Sequence, residues 1–272
     1  MSDNNIHVKT KKIIESTFNE VSSKYDANLF FQITAQHLAK SFSSYEKDKL
    51  LDVSTGTGTV IFEIMKEHPN LDILAIDISK GMLDIAKQKA EKLNLKGITF
   101  KQEDVEKLSY PNNHFDIITC GFGLFFYPNM QDTFNSLCKM IKKDGKFIFS
   151  SFTKDAFEPY SSSFFDTLDK DYKIKFPIKA SGLLNTQEDI EILVLNKQTL
   201  QYETEEVEIS YDITVEQWWE LLNSAGYKTL LNKLSESQLE SFKTKHLTDI
   251  LKLSTDGSIT LKVNTLITTV TL

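Results

Sequence analysis

The chain has no arginine: all 31 of its basic residues are lysines, set against 38 acidic ones for a formal net charge of -7. A nucleic-acid ligand calls for a basic footprint and profits from the guanidinium fork, so nucleic acid is excluded as the expected partner. The same absence removes bidentate recognition of carboxylate or phosphate from every site in the protein. Cysteine is scarce too. Cys120 and Cys138 are the only two, in an apparent strand and an apparent helix, too few for a disulfide framework or a cysteine metal pattern. No apolar run approaches the length of a spanning helix, so stable membrane insertion is not expected. Residues 1–12 are polar and charged rather than an apolar signal core, which points to a cytoplasmic protein.

The 272 residues carry no internal repeat or low-complexity tract, and they suffice for one large α/β domain or one domain with a sizeable insertion. After a helical N-terminal segment, short β-rich runs alternate with amphipathic stretches, the pattern of a parallel sheet covered by helices on both faces. The predicted strands are "KLLDVS", "LDILAIDI", "GITFKQED", "FDIITCGF" and "GKFIFSSF", with helices over about 58–67, 79–93 and 129–142. Ser79 is placed to cap the second of these helices, and "KKDG" at 142–145 to end the third with lysines at its negative pole and a glycine beyond.

From about residue 153 the alternation loosens into a segment of mixed aromatic and polar residues, with a short helix capped by Thr186. A strand in "TLQYETEEVEIS", a helix "TVEQWWELLNSAG" ending at Gly226, a longer helix over about 235–253 and a last strand pattern "SITLKVNTLITTVTL" follow. The expected division is therefore an N-terminal helical cover (1–44), a cofactor-binding core (45–152), an inserted lid or substrate region (153–198) and a strand-helix-strand completion of the sheet (199–272).

The chemistry begins at "LLDVSTGTGTV", residues 50–60. A glycine-rich turn after the first strand of such a sheet is where a small cofactor binds. A dinucleotide fingerprint would need G-x-G-x-x-G, but here Ile61 stands where the third glycine belongs. Asp52, just before the loop, would repel a pyrophosphate and suits a cofactor bearing an ammonium and a sulfonium.

The segment Asp52-Val53-Ser54-Thr55-Gly56-Thr57-Gly58 resembles the first motif, (D/E)-x-G-x-G-x-G, of the class I S-adenosylmethionine-dependent methyltransferases, with Ser54 at the first glycine position. Further segments continue the resemblance in order, over roughly 45–152. It implies a Rossmann-like, seven-stranded, mostly parallel sheet and S-adenosyl-L-methionine as cofactor. Asp77 would take the ribose hydroxyls, Ile78 and Met82 the adenine faces, Asp104 with Val105 beside it the adenine amino group, and the backbone around Cys120 and Gly121 a further contact. Thr55, Gly56 and Gly58 complete the loop. Ser54 is expected at negative φ, where serine is unstrained. The N-terminal "FNEVSSKYDANLFFQI" resembles the helical cover of small-molecule methyltransferases, with the Tyr25 hydroxyl in reach of the methionine carboxylate.

Methyl transfer needs alignment and exclusion of water, and no protein nucleophile or metal, so no metal site is expected. "GFGLFFYPN" after the fourth strand offers Phe122, Phe126 and Tyr127 as aromatic walls for a substrate, and it lacks the N-P-P-Y signature of amide and DNA methylation. Phe157, Tyr160 and Trp218, with neighbours Phe164, Phe165 and Trp219, could extend that pocket. His114 lies at the wrong end of its strand to act as a base, and the remaining histidines look like helix, surface or tail residues. Tyr127 and Tyr160 stay as candidate bases. The expected activity is methylation of a small aromatic or lipophilic molecule, resembling the ubiquinone/menaquinone-biosynthesis-like and type 11 groups. A catalytically silent cofactor-binding subunit of the same fold, or a nicotinamide oxidoreductase, would be the alternatives.

Overall fold

The computed structural model describes residues 3–41, 48–175, 184–196 and 200–272. The middle of the segment predicted as a lid, 176–183, therefore lies outside the described residues, as do 42–44 of the predicted cover.

Seven strands form the main sheet in the order β3-β2-β1-β4-β5-β9-β6. They are β1 (Lys49–Val53), β2 (Asp72–Asp77), β3 (Ile98–Gln102), β4 (Phe115–Gly121), β5 (Ile141–Phe152), β6 (Gln201–Val207) and β9 (Thr265–Thr271). The pairs from β3 through β5 are parallel. β9 runs antiparallel to both β5 and β6 and is the one reversed strand. Both faces are buried, so side chains alternate between two cores: Leu50, Ile117 and Ile148 belong to one, and Leu51, Ile118 and Phe149 to the other.

Helices α3 (Thr59–Glu67), α4 (Lys80–Lys92) and α5 (Met130–Met140) lie between strands at the predicted places. Ser79 caps α4 by accepting from Met82 N. The cover is two helices, α1 (Asp3–Val21) and α2 (Leu29–Lys40), broken by a single 3-10 turn at Tyr25–Ala27. After β5 come α6 (Tyr160–Tyr172) and α7 (Gln187–Leu195), the latter started by the Thr186–Asp189 capping box. Then follow α8 (Val215–Leu222), α9 (Lys228–Leu231) and α10 (Glu236–Leu253). No helix among the described residues is long and apolar enough to cross a membrane.

Three local expectations need correction. "KKDG" does not end a helix: α5 stops at Met140 and the lysines begin β5, where Ile141 pairs with Phe115 and Lys142 binds the Asp116 carboxylate at 2.8 Å. Strand pairing outweighed a good local helix-stop signal. The helix expected to reach Gly226 ends at Leu222. The final Thr- and Val-rich run is two strands, because β8 (Ser258–Lys262) leaves the main sheet to pair with β7 (Ser210–Thr214).

Candidate active site

The chain runs outward from β1 through β2 to β3 and returns to β4 on the other side of β1, so the order reverses between β1 and β4. Ligands of open α/β sheets bind beyond the strand ends at such a reversal. The loop Ser54–Gly58 leaves β1 there, and a cavity opens against it.

Asp77 at the end of β2 organises that cavity. Its Oδ2 accepts from Gly56 N at 2.9 Å and its Oδ1 from Ser79 N at 2.8 Å. A carboxylate has about four acceptor positions, so roughly two remain for a ligand. Burial pushes the Asp77 carboxyl up to about 6, against the backbone hydrogen bonds from Ser79, Gly56 and Ile78 that favour its charge. Ile78, Met82 and Val105 supply apolar surface to the cavity, and Gly121 and Tyr25 line it as well. Asp104 lines the cavity but is already engaged: Lys11 of α1 reaches it at 2.8 Å and Glu106 at 2.5 Å.

Asp52, Thr55, Gly58 and Cys120 stand behind this lining rather than in it. Asp52 is buried, with Oδ1 accepting from Thr119 at 2.6 Å and Oδ2 without a partner. Burial raises its carboxyl to about 7. Cys120 is buried in β4 and its thiol is pushed up to about 12. Gly58 has φ +83, and a Cβ there would lie 2.7 Å from the Phe62 ring.

Ser54 contradicts its expectation. Its φ is +53, in the left-handed region, so the serine is strained where the motif would have glycine. Its hydroxyl compensates by pairing with Tyr127 Oη at 2.7 Å. Tyr127 thereby lines the same cavity as Ser54 and does not reach the second cavity as a substrate wall.

The cover closes the cavity through polar fastenings. Asn19 Oδ1 accepts from Ser79 Oγ at 2.8 Å and from Gly81 N at 2.7 Å. Asp26 accepts from Thr57 Oγ1 and pairs with Lys89 at 3.0 Å. These contacts tie the N-terminal helices to the glycine loop and to the start of α4.

Beside this cavity lies a second, predominantly aromatic chamber under α2, α6 and the α8–α9 turn. Phe122 and Phe126 line it, as does Phe157, while Phe31, Phe125, Phe152, Phe165 and Tyr227 join them. Phe122 and Phe157 hold positive φ values of +53 and +67. Non-glycine residues in that region carry strain, and strained residues cluster at sites of function. The two cavities share four residues: Phe18, Tyr25, Phe122 and Phe126.

Besides Tyr127, the predicted substrate residues Tyr160 and Trp218 and their neighbours Phe164 and Trp219 are not in the chamber's lining. Tyr160 is buried and its hydroxyl donates to Thr260 O at 3.3 Å. Trp218 is fully buried and its Nε1 donates to His246 Nε2 at 2.9 Å. His246, expected as a helix or surface residue, is also fully buried, which lowers its pKa to about 4. Sequence reasoning missed Lys11, Phe31, Phe125, Phe152 and Tyr227. "NLFF" and "GLFF" are aromatic pairs, and both members of each pair line the chamber.

A family model described as "Methyltransferase domain" matches residues 44–217. The chain belongs to this methyltransferase family. Among curated relatives of this methyltransferase, the ubiquinone/menaquinone biosynthesis C-methyltransferase UbiE of Zymomonas mobilis is 25% identical over 221 residues, spanning 79% of this chain and 84% of the relative. The fold matches the YcgJ protein of Bacillus subtilis with a TM-score of 0.60 at 17% identity, covering 88% of this chain and 98% of that one. It also matches a phosphoethanolamine N-methyltransferase of Haemonchus contortus solved with S-adenosyl-L-methionine, with a TM-score of 0.54 at 16% identity, over 88% of this chain and 52% of that one. The Rossmann-like sheet expected of this methyltransferase agrees with these findings.

Proposed function

We propose that this protein transfers the methyl group of S-adenosyl-L-methionine to a small aromatic or lipophilic molecule. The observation that carries the reading is the wall of four shared residues, Phe18, Tyr25, Phe122 and Phe126, at which the cavity built around Asp77 meets the aromatic chamber. A methyl group passing between two bound molecules needs such a junction, dry and with both partners held in line.

The residues at the first cavity fit the cofactor. Asp77 has acceptor capacity left for two ribose hydroxyls, and Ile78, Met82 and Val105 offer flat apolar surface to adenine. Asp104 faces the adenine edge in the company of Lys11, and the Tyr25 hydroxyl and the Gly121 backbone face the methionine end. Asp52, Thr55, Gly58 and Cys120 shape the loop and strand from behind. The cofactor supplies an electrophilic methyl group on a positively charged sulfur. The protein's part is to hold, align and keep water out.

Neither candidate base is free for proton transfer. Tyr127 is paired with Ser54 and burial raises it well above the ordinary tyrosine value, while Tyr160 donates to a backbone carbonyl outside the chamber. An open chamber joined to the cofactor cavity favours turnover over a silent cofactor-binding subunit.

The test is incubation of the purified protein with methyl-labelled S-adenosyl-L-methionine and a host extract, separated into small-molecule, protein and nucleic-acid fractions. Label in an apolar small molecule supports the reading. Label in protein or nucleic acid alone overturns it.

A further inference from the structure

The shared wall has an unusual chemistry for a place where charge moves. Phe18 and Phe126 meet edge to face at 5.3 Å, and Phe18 and Tyr25 at 6.1 Å. The only polar side-chain atom among the four shared residues is the Tyr25 hydroxyl, and burial beside Asp77 and Asp26 keeps that hydroxyl protonated. Along the rest of the chamber the charged groups are Lys154 and Glu158, which cancel. Glu158 is occupied in starting α6, accepting from Ser161 Oγ at 2.6 Å. Among the described residues, the junction thus holds aromatic rings and no group suited to removing a proton.

Aromatic faces attract cations, most strongly where water is excluded. An interaction strengthened in the transition state speeds the chemical step, one held equal leaves it unchanged, and one weakened slows it. If the acceptor is an anionic oxygen or sulfur, the positive charge vanishes during transfer and the rings favour the starting state. If it is a neutral amine, the charge merely shifts from sulfur to nitrogen and the rings stabilise it throughout.

We propose that the acceptor presents an uncharged amine nitrogen, carried on an aromatic or apolar body, to this ring-lined junction. The nitrogen lone pair forms the new N–C bond as the C–S bond breaks with its electrons left on sulfur. The product is an ammonium ion and a neutral thioether. A tertiary amine that has given up its solution proton to water before docking has no proton to lose in the transfer itself, which matches a junction without a base. A net charge of -7 further favours the approach of cations and amines over anions. The inference rests on the chamber being the acceptor site.

The experiment uses the full chain saturated with S-adenosylhomocysteine and two isosteric probes titrated by calorimetry, (naphthalen-2-ylmethyl)trimethylammonium and its neutral carbon counterpart, 2-neopentylnaphthalene. The ammonium binds at least tenfold more tightly if the inference holds. Phe126→Leu, which keeps apolar bulk but removes a ring, cuts the ratio of ammonium to neutral affinity severalfold. Phe165→Ala, in the chamber away from the shared wall, weakens both probes. Equal binding of the two probes overturns the amine assignment while leaving the chamber as acceptor site. Failure of both probes to bind overturns both the amine assignment and the chamber as acceptor site. In turnover with labelled cofactor, N,N-dimethyl-1-(naphthalen-2-yl)methanamine becomes labelled at least tenfold faster than 2-naphthol or 2-naphthalenethiol, and the reverse order contradicts the proposal.

Discussion

Ser54 and Tyr127, 73 residues apart, hold one another at 2.7 Å between their hydroxyl oxygens. The pair joins the loop after β1 to the segment after β4, and it accompanies a backbone at φ +53 that a serine adopts only under strain. A left-handed non-glycine residue costs about 1–2 kcal/mol, and one buried hydrogen bond returns about 1 kcal/mol. Tyr127→Phe is therefore expected to cost about 1 kcal/mol in the Ser54 chain and close to nothing once Ser54→Gly has removed the strain and the partner. Urea unfolding of the two single variants and the double variant measures this coupling. Additive effects would mean that the two hydroxyls do not depend on each other.

Buried Asp52 makes stability fall as pH rises. Its carboxyl titrates at about 7 in the folded chain, so between the ordinary carboxylate value and 7 the folded state binds more protons than the unfolded state. The contribution is fully present below about pH 4, the ordinary carboxylate value, and is lost on the way up through 7. Asp52→Asn should flatten the slope of unfolding free energy between these limits, while an unchanged slope would assign it elsewhere. Asp77 acts in the same direction on stability, up to about 6. Cofactor binding has the opposite trend: ribose hydroxyls need the ionised carboxylate, so affinity for S-adenosylhomocysteine rises as pH passes through about 6 and then levels.

Gly226 sits in the chamber wall, where an added Cβ would come 3.4 Å from the Phe126 ring. Gly226→Leu presses on one of the four shared residues. It should lower methyl transfer more than tenfold while S-adenosylhomocysteine affinity stays within about twofold, with about 1–3 kcal/mol of overpacking cost. Equal loss of both functions would show that the two cavities are not separate.

Trp218 offers a contrasting case. Trp218→Phe removes the hydrogen bond to His246 and leaves a buried imidazole nitrogen unpaired, for an expected cost of about 2–3 kcal/mol. Methyl transfer at a temperature where the variant stays folded should be unchanged. A raised acceptor KM without loss of stability would return Trp218 to the substrate site.

Much of the first cavity's framework was legible because its signals are local. Asp77 ends a strand beside a glycine loop, Ser79 caps the next helix, and the spacing of both is written in consecutive residues. The sign of φ at Ser54 was not legible, since its compensation comes from Tyr127 across the site. The chamber was only half visible for a related reason. Phe122, Phe126 and Phe157 face it, but Tyr160 and Trp218 are equally aromatic and face the core, a choice made by how α6 and α8 pack on α10. The departure of β8 from the main sheet left no mark in a uniform Thr and Val pattern. The switch is made by Asn264 and Val263, which hydrogen-bond Ile209 in the preceding connection.

The proposed function rests on Asp77 holding the cofactor. The most direct measurement is calorimetric titration of S-adenosylhomocysteine into the native chain and into Asp77→Ala. Removal of hydrogen bonds to a charged acceptor, about 1.5–3 kcal/mol, predicts roughly 10- to 150-fold weaker binding. Unchanged affinity in a folded Asp77→Ala chain would contradict the assignment of this cavity to the cofactor.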